Sequence, residues 1–285
     1  AISLQVGSAD APRLTTASEL LYDDTLRGRD GSLLDEGAIA LRRDARERAM
    51  LLDLSRAAAA PVVALTDGPV EIWGAKDPAN AGMYQEFLRQ YLQDLDRLQE
   101  LEVTLGGYVD KPAADLLIRL LEVESFAARE GGDLRTWHPL AGVSDLWLFR
   151  KLLKPGERSA LFAMQSASRT RYTGARAIHF FYLNVSATAR AGIARVECPQ
   201  WVAADPHKLD LLHACLVAQS RLLGARPYPY ILHRAHETAR VSFDEKGQVE
   251  LLLALELRQQ GVEIGDPSDK QVAKDVSSTK GSYKR

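Results

Sequence analysis

Three side chains that are far apart in the chain have the chemistry to hold a metal ion together. They are Glu47, Asp67 and His236, and Tyr228 lies shortly before the histidine. Carboxylate oxygens combined with one imidazole are ligands that suit Mg²⁺ or Mn²⁺. Two-metal phosphoryl chemistry requires such acids to meet at one point of the fold. These residue types therefore suit metal-assisted phosphoryl chemistry, provided that the surrounding elements bring the side chains together.

Asp67 ends the most strand-like stretch of the chain. Residues 62–65 are consecutively apolar, a pattern typical of a strand that is buried on both faces in a parallel or central sheet position. Gly68 and Pro69 stop the strand directly after the carboxylate. In open α/β sheets this edge binds ligands and metals. The alternative is that Asp67 only forms a turn, because Asp-Gly is a common turn pair.

Glu47 lies in a predicted helix over residues 38–60, which is rich in Ala, Leu and Arg. A helical wheel places it within an apolar stripe formed by Ala40, Leu51, Leu54 and Ala58, with Met50 beside them. We expect this stripe to face the sheet, where a carboxylate is costly unless a charge or a metal pairs with it.

Two other interpretations of Glu47 stay open. A weaker apolar stripe lies on the opposite side of the helix and consists of Leu41, Ala45 and Leu52. Glu47 could also be a surface residue in an ion pair with Arg43 or Arg46. His236 is similarly ambiguous, because a lone histidine flanked by Ala235 can be a hydrogen-bonded structural residue.

The predicted elements around these residues describe an α/β domain with a central mixed sheet. The strand that ends at Asp67, a helix over 82–101 and a strand over 103–109 form a β-α-β unit, which implies a right-handed crossover and a parallel strand pair. Alternation predicts a half-buried strand over residues 2–6, and Asp30-Gly31-Ser32 is interpreted as a loop turn. The other predicted elements are a helix over 113–123, an apolar segment over 146–153, strands over 177–185 and 193–197, and helices over 207–223, 230–240 and 248–260.

Composition and motif searches remove several classes of function. A net charge of −2 gives no global basic signature for nucleic-acid binding. The two cysteines have no CxxC spacing, and no apolar run approaches the ~18 residues that a membrane span needs, so we expect a reducing, cytoplasmic setting without membrane contact. GxGxxG, GxxxxGK[ST], GxSxG and HExxH motifs do not occur, which leaves dinucleotide, P-loop, hydrolase-elbow and zincin functions without support.

An ordered series of motifs resembles the NurA nuclease domain, in its bacterial branch. The resemblance extends over nearly the whole chain. Its motifs are Glu47 in the arginine-rich helix, Val63-Ala64-Leu65-Thr66-Asp67-Gly68-Pro69, Gly107-Tyr108-Val109-Asp110-Lys111-Pro112, Gly156-Glu157-Arg158-Ser159, Phe180-Phe181-Tyr182-Leu183-Asn184-Val185, Arg195-Val196-Glu197-Cys198-Pro199-Gln200-Trp201-Val202-Ala203, and Tyr228-Pro229-Tyr230-Ile231-Leu232-His233-Arg234-Ala235-His236-Glu237.

The resemblance implies an RNase H-like fold and cleavage of DNA that depends on Mn²⁺, with Mg²⁺ as the other suitable ion. It also implies a homodimer that processes DNA ends together with a HerA-type hexameric translocase. The catalytic positions of the family fall on Glu47, Asp67, Tyr228 and His236. Glu47, Asp67 and His236 are the implied metal ligands. Arg158, Arg234 and Lys270 are candidate contacts for backbone phosphates, with solvated surface charges as the alternative for each.

One departure from the family pattern concerns its first strand. Family members carry Val-Asp-Gly-Ser on that strand, whereas no such motif precedes residues 2–6 here, and Asp30-Gly31-Ser32 comes too late. We therefore expect a nuclease domain over 1–265 whose first strand is missing, followed by a polar tail over 266–285. The missing aspartate keeps open a non-catalytic subunit that binds DNA or the translocase. An unrelated nucleotide-handling α/β enzyme is a third alternative.

Overall fold

The computed structural model describes residues 2–3, 13–16, 21, 23–28, 31, 33–72, 80–127, 133, 135–167, 169–188, 192–224 and 227–261. Within these ranges a five-stranded sheet is accompanied by a separate strand pair, β1 (Ile2–Ser3) with β2 (Arg13–Leu14). The helices of the described ranges are α1 (Glu36–Ala57), α2 (Ala81–Glu100), α3 (Leu116–Ala127), α4 (Asp145–Leu152), α5 (Gln200–Ala203), α6 (Pro206–Arg221), α7 (Tyr230–Ala239) and α8 (Phe243–Gln259).

The five-stranded sheet is mixed. Its strands are β3 (Val63–Asp67), β4 (Thr104–Asp110), β5 (Phe162–Ala163), β6 (Ile178–Asn184) and β7 (Ile193–Pro199). They lie in the order β3-β4-β7-β6-β5, in which β3 and β4 are parallel and the other neighbours are antiparallel. The predicted α/β class with a mixed sheet and flanking helices is therefore confirmed. The finer assignment to an RNase H-like fold stays a prediction.

The helix α2 connects the two parallel strands, as the sequence predicted. Its buried face lies in the hydrophobic core and consists of Tyr84, Leu88, Tyr91, Leu95 and Leu98, a spacing of three and four residues that suits one helix face. The strand register sets Asp67 opposite Tyr108. Both strands consequently end at the same edge of the sheet, which is the edge where open α/β sheets bind ligands.

The strand β3 is parallel to β4, one of the two positions that the sequence predicted, and it lies at the edge of the sheet among the described strands. Ala64 and Thr66 are buried, whereas Val63 and Leu65 are only partly buried. Val63 and Leu65 nevertheless pack against the hydrophobic core. An unbroken apolar run thus indicates that both faces of a strand are covered, and it does not indicate how many strands flank it.

The strand predicted over residues 2–6 is seen only as β1, and it lies outside the main sheet. Ile2 is opposite Leu14 in the antiparallel pair, and residues 4–12 are outside the described ranges. The period-two pattern identified a strand but carried no information about its partner. The predicted turn at Gly31 is confirmed, since Gly31 has φ +80° and its N–H donates to the Gly28 carbonyl at 3.0 Å.

The chain divides into two compact units, Ala1–Ala235 and His236–Arg285. The first unit contains the five-stranded sheet. In the second unit α8 begins with a capping box between Ser242 and Glu245, and its leucines are largely exposed. The predicted tail over 266–285 lies outside the described residues. None of the helices that the structure describes is long and apolar enough to cross a membrane.

Candidate active site at the carboxyl edge of the sheet

The carboxylate of Asp67 and the hydroxyl of Tyr228 meet at the end of β3. Tyr228 Oη donates a hydrogen bond to Asp67 Oδ1 at 2.8 Å. The Tyr228 ring also packs edge-on against Tyr108, with centroids 5.4 Å apart and an interplanar angle of 89°. Burial raises the pKa of Tyr228, and the hydrogen bond to Asp67 and its negative charge raise that pKa further. The hydroxyl therefore stays protonated and acts as a donor to Asp67.

A second aspartate, Asp110, ends the neighbouring parallel strand. It follows Tyr108 by two residues, so it lies on the same face of the sheet as Tyr108 and Asp67. Its negative charge also raises the pKa values of Tyr108 and Tyr228, which places it within electrostatic range of both rings. The sequence analysis did not select Asp110 as a site residue. The predicted parallel pair could have indicated it, because Asp67 and Asp110 each end one strand of that pair.

Glu47 does not lie on the buried face of α1, so the expected orientation of this helix was wrong. Its side chain is 58% exposed, and its carboxylate lies 3.7 Å from Arg43 Nε. This is the surface ion pair that the sequence left open as an alternative. The pKa of Glu47 is nevertheless raised, first by partial burial of its carboxyl and then by Asp44, and Asp67 contributes in the same direction. Glu47 and Asp67 are therefore within electrostatic range of each other.

The orientation of α1 is set by the buried arginine Arg48. Its Nη2 donates to the Pro69 carbonyl at 3.0 Å, and its guanidinium lies over the Tyr91 ring, 5.4 Å from the centroid. These contacts turn Leu41 and Leu52 towards the core. The weaker apolar stripe of α1, which contains Leu41 and Leu52, is consequently the buried one. Arg48 lies in the middle of this stripe, so a search for apolar residues alone underestimates it.

The segment 68–72, which follows Asp67 directly, is held by side chains from several elements. A buried ion pair on β7 supplies one contact, since Glu197 bonds Arg195 at 2.9 Å and accepts from the Val70 N–H at 3.1 Å. The remaining contacts involve Thr66 Oγ1 with the Gly68 carbonyl (3.2 Å), Arg48 with the Pro69 carbonyl (3.0 Å), Tyr91 Oη with the Val70 carbonyl (2.7 Å), Tyr84 Oη with the Ile72 carbonyl (3.4 Å) and Tyr172 Oη with the Ile72 N–H (2.9 Å). The backbone beyond the carboxylate is therefore held by contacts within the protein itself.

Gly107 on β4 allows the segment 68–72 to approach the sheet this closely. A Cβ atom at this position would lie 2.7 Å from the Gly68 carbonyl oxygen and 2.7 Å from the Val70 nitrogen. Both neighbours are backbone atoms that a small side-chain adjustment cannot move. The glycine of the Gly107-Tyr108-Val109-Asp110 motif is therefore required by packing against the loop that follows Asp67.

The histidine that the sequence selected lies in the other compact unit. His236 is exposed in the last turn of α7, at the first residue of the unit His236–Arg285. In neither unit do three or more His, Cys, Asp or Glu side chains of the described residues form a cluster that could hold a metal ion. The role of His236 stays a prediction.

Arg158 has structural contacts within the first unit, and its proposed contact with a phosphate stays a prediction. Its Nη2 bonds Asp210 at 2.7 Å, and its Nη1 donates to His213 Nδ1 at 3.1 Å. His213 Nε2 in turn bonds the Gly156 carbonyl at 2.8 Å. The Gly156-Glu157-Arg158-Ser159 segment thus fastens α6 to the edge of β6. Of the other candidates, Arg234 is exposed on α7 and Lys270 lies outside the described residues.

Comparison with known proteins identifies a family. A model of the NurA domain matches residues 8–241, which is most of the chain. No curated protein and no solved structure matches the chain. The match contains Glu47, Asp67, Tyr228 and His236, the four residues for which the sequence suggested a catalytic role.

Proposed function

The chain belongs to the NurA domain family, a family of nucleases, and from this membership and the contact between Tyr228 and Asp67 we propose that it is a metal-dependent DNA nuclease. The reaction is hydrolysis of phosphodiester bonds. The hydrogen bond at the end of β3 is the observation that carries the proposal, because it gives a solvent-facing carboxylate a fixed orientation at the ligand-binding edge of the sheet.

The carboxylate oxygens at this edge support Mn²⁺ or Mg²⁺ as the proposed ion. Tyr228 occupies Asp67 Oδ1, and among the described residues Asp67 Oδ2 has no hydrogen-bond partner. Glu47 adds a second carboxylate within electrostatic range. Hard divalent cations prefer such oxygens. Asp67 and Glu47 would hold the ion, which when bound supplies Lewis-acid activation of water and stabilises negative charge on the phosphate.

The protein's own groups have distinct tasks in this proposal. Tyr228 fixes the rotamer of Asp67 through its hydroxyl, which is protonated at neutral pH and donates to the carboxylate. His236 is the proposed further ligand or proton carrier near neutral pH. Asp110, which pairs with Lys111 at 3.3 Å, adds a further carboxylate within electrostatic range of Tyr228.

The biological setting is proposed from the family resemblance alone. It comprises the processing of DNA ends together with a HerA-type hexameric translocase, action as a homodimer and a cytoplasmic location.

A non-catalytic subunit that binds DNA or the translocase is the second candidate function. The observation in its favour is that no three metal-ligating side chains of the described residues come together in either unit. Retention of Glu47, Asp67, Tyr228 and His236 favours the active enzyme.

The deciding experiment compares Asp67→Asn with Asp53→Asn on linear DNA in the presence of Mn²⁺. The amide oxygen introduced by D67N can still accept the Tyr228 hydrogen bond, so the fold is retained while the negative charge is removed. Asp53 is likewise an exposed aspartate, lies on α1 and pairs with Arg56 at 3.4 Å, and it serves as the matched control. We expect the wild type and D53N to cut and D67N to be inactive. Equal cutting by all three proteins would reduce Asp67 to a turn residue, and binding without cutting by the wild type would support the non-catalytic subunit.

A further inference from the structure

An arginine-rich, acid-free stretch follows the segment that fastens α6. Residues 158–196 contain six arginines and no Asp or Glu, although the whole chain has 36 basic and 38 acidic residues. Half of these arginines, Arg169, Arg171 and Arg176, belong to the short segment 169–176. Positive charge is therefore concentrated in a protein whose net charge gives no sign of it.

The segment 169–176 and α2 border an open cleft of about 360 Å³. Its polar lining consists of Gln85, Arg89 and Gln93 from α2 and of Arg171 and Arg176 from the segment. Leu88 and Leu92 supply its apolar lining. Every one of these polar side chains carries N–H donors. Arginine guanidinium groups bind phosphate oxygens in a bidentate manner, and amide N–H groups add further donors.

An aromatic contact fixes the position of the Arg171 guanidinium. Its guanidinium lies over the Tyr84 ring, 5.3 Å from the centroid, and its Nη1 donates to Tyr84 Oη at 2.7 Å. Within the described part of the chain Arg171 forms no ion pair. The contacts with Tyr84 hold the guanidinium in place, and the carboxylate of Glu71 lies within electrostatic range of it.

The other two arginines of the cleft have partners that an anion can replace. Arg89 pairs with Glu86 on an exposed helix face, where both side chains are about half exposed or more. Arg176 pairs with Asp96, with Nε and Oδ1 3.5 Å apart. Ion pairs with a solvent-exposed partner are weak in water, and both Glu86 and Asp96 are about half exposed, so the exchange of either carboxylate for a phosphate group costs little.

The cleft is connected to the loop that leaves the candidate active site. Tyr172, the neighbour of Arg171, accepts a hydrogen bond from the Ile72 N–H at 2.9 Å, and Tyr84 donates to the Ile72 carbonyl at 3.4 Å. Ser166 donates to Glu71 at 3.1 Å. The segment 169–176 and α2 therefore both form hydrogen bonds with the backbone of Ile72, five residues beyond Asp67.

We propose that the cleft between α2 and the segment 169–176 binds backbone phosphates of the DNA strand that is cut at Asp67. The proposal rests on the proposed nuclease function. It assigns Arg89, Arg171 and Arg176 to the binding of substrate remote from the reacting bond, through contacts that carry no sequence preference.

The test measures DNA binding apart from cutting. A fluorescent oligothymidylate of about 20 nucleotides, longer than a typical single-strand site, is titrated with the full chain in EDTA at several salt concentrations. The test variant is R89Q/R171Q. The matched control is R56Q/R150Q, because Arg56 also forms an exposed helical pair and Arg150 also lies over an aromatic ring, that of Trp147.

We expect R89Q/R171Q to lower the salt dependence of log Kd by about 1.4, which is about 0.7 for each phosphate that an arginine no longer neutralises. Its affinity is then about 25-fold lower than that of the wild type at about 0.1 M salt and equal at about 1 M. The control keeps the affinity and slope of the wild type. A second variant, E86Q/D96N, removes the carboxylates that compete with phosphate and is expected to bind more tightly, an effect that partial unfolding does not produce.

The outcomes separate this proposal from the proposed function. Unchanged binding by R89Q/R171Q and by E86Q/D96N overturns the cleft while Asp67-dependent cutting remains. An equal decrease of affinity in the test and control variants likewise rejects the cleft, since charge anywhere on the surface then suffices. A wild type that binds no DNA and cuts none overturns both.

Discussion

Tyr228 and Asp67 are 161 positions apart in the chain, and their side chains share a hydrogen bond of 2.8 Å. One partner ends the edge strand β3, and the other lies directly before α7. No local pattern relates the two positions, and only the folded domain brings them together. The pair is the most direct link between the family's motifs and a chemical arrangement.

Tyr228→Phe is expected to reduce cutting by about tenfold to a hundredfold, because a hydrogen bond to a charged group contributes about 1.5–3 kcal/mol. The ring and its contact with Tyr108 remain, so thermal unfolding should change little. Initial rates on linear DNA and a melting curve measure the two effects. A wild-type rate in Y228F would show that Asp67 does not need this donor.

As pH is lowered, the rate of DNA cutting is expected to fall at a higher pH than it would if Glu47 had the pKa of an ordinary glutamate. The pKa of Glu47 is raised, above all by partial burial. As pH falls through this raised pKa, Glu47 takes up a proton and loses the charge that favours a cation. The rate of D53N should follow the wild-type profile, whereas E47Q should be weakly active and lack this acidic limb. A profile of E47Q that coincides with that of the wild type would remove Glu47 from the site.

Gly107→Ala is expected to cost about 1–3 kcal/mol of unfolding free energy, since its Cβ meets backbone atoms of segment 68–72. The neighbouring variant Gly106→Ala is the control. There the Cβ meets Leu212 Cδ1 at 2.6 Å, a flexible side-chain end that can move. Urea denaturation and cutting rates should both show a larger loss in G107A. The reverse order would mean that segment 68–72 yields easily.

Asp145→Ala is expected to destabilise the domain by about 3–5 kcal/mol, because several buried donors lose their partner. The buried carboxylate accepts from the Leu117 N–H at 3.0 Å, from the Ile118 N–H at 2.9 Å and from Tyr182 Oη. Asp115→Ala, at an exposed position just before α3, is the control and should cost far less. Equal midpoints in urea would contradict the structural role.

The buried ion pair on β7 gives a stability test whose sign follows from linkage. Burial raises the pKa of Glu197 above its unfolded value, so its contribution to the free energy of unfolding is present at low pH and is lost as pH rises through the folded pKa. The stability of the wild type relative to E197Q should therefore decrease as pH rises above the ordinary glutamate pKa of about 4.3. Urea titrations at a series of pH values measure this difference in stability. If it increases with pH, the attraction of Arg195 for the Glu197 carboxylate outweighs the effect of burial.

The sequence allowed the β-α-β unit to be predicted, because both its strands and α2 carry patterns that depend on near neighbours only. It did not allow the start of α3, predicted at 113 and found at Leu116. The donors that begin this helix are capped by Asp145, 28 positions away from Leu117. The face of α1 was misjudged for the same reason, since Arg48 is buried by contacts with Pro69 and Tyr91 that no wheel contains.

The hydrogen bonds that hold segment 68–72 have a consequence for the binding of a metal ion. Where a loop orders around a cation, part of the binding free energy is consumed by the entropy of the ordered residues. Here the backbone after Asp67 is already fixed by side chains of α1, α2, β7 and the segment near Tyr172. Ion binding should therefore not require this backbone to become ordered, and the unfolding temperature of the domain should rise with occupancy of the site.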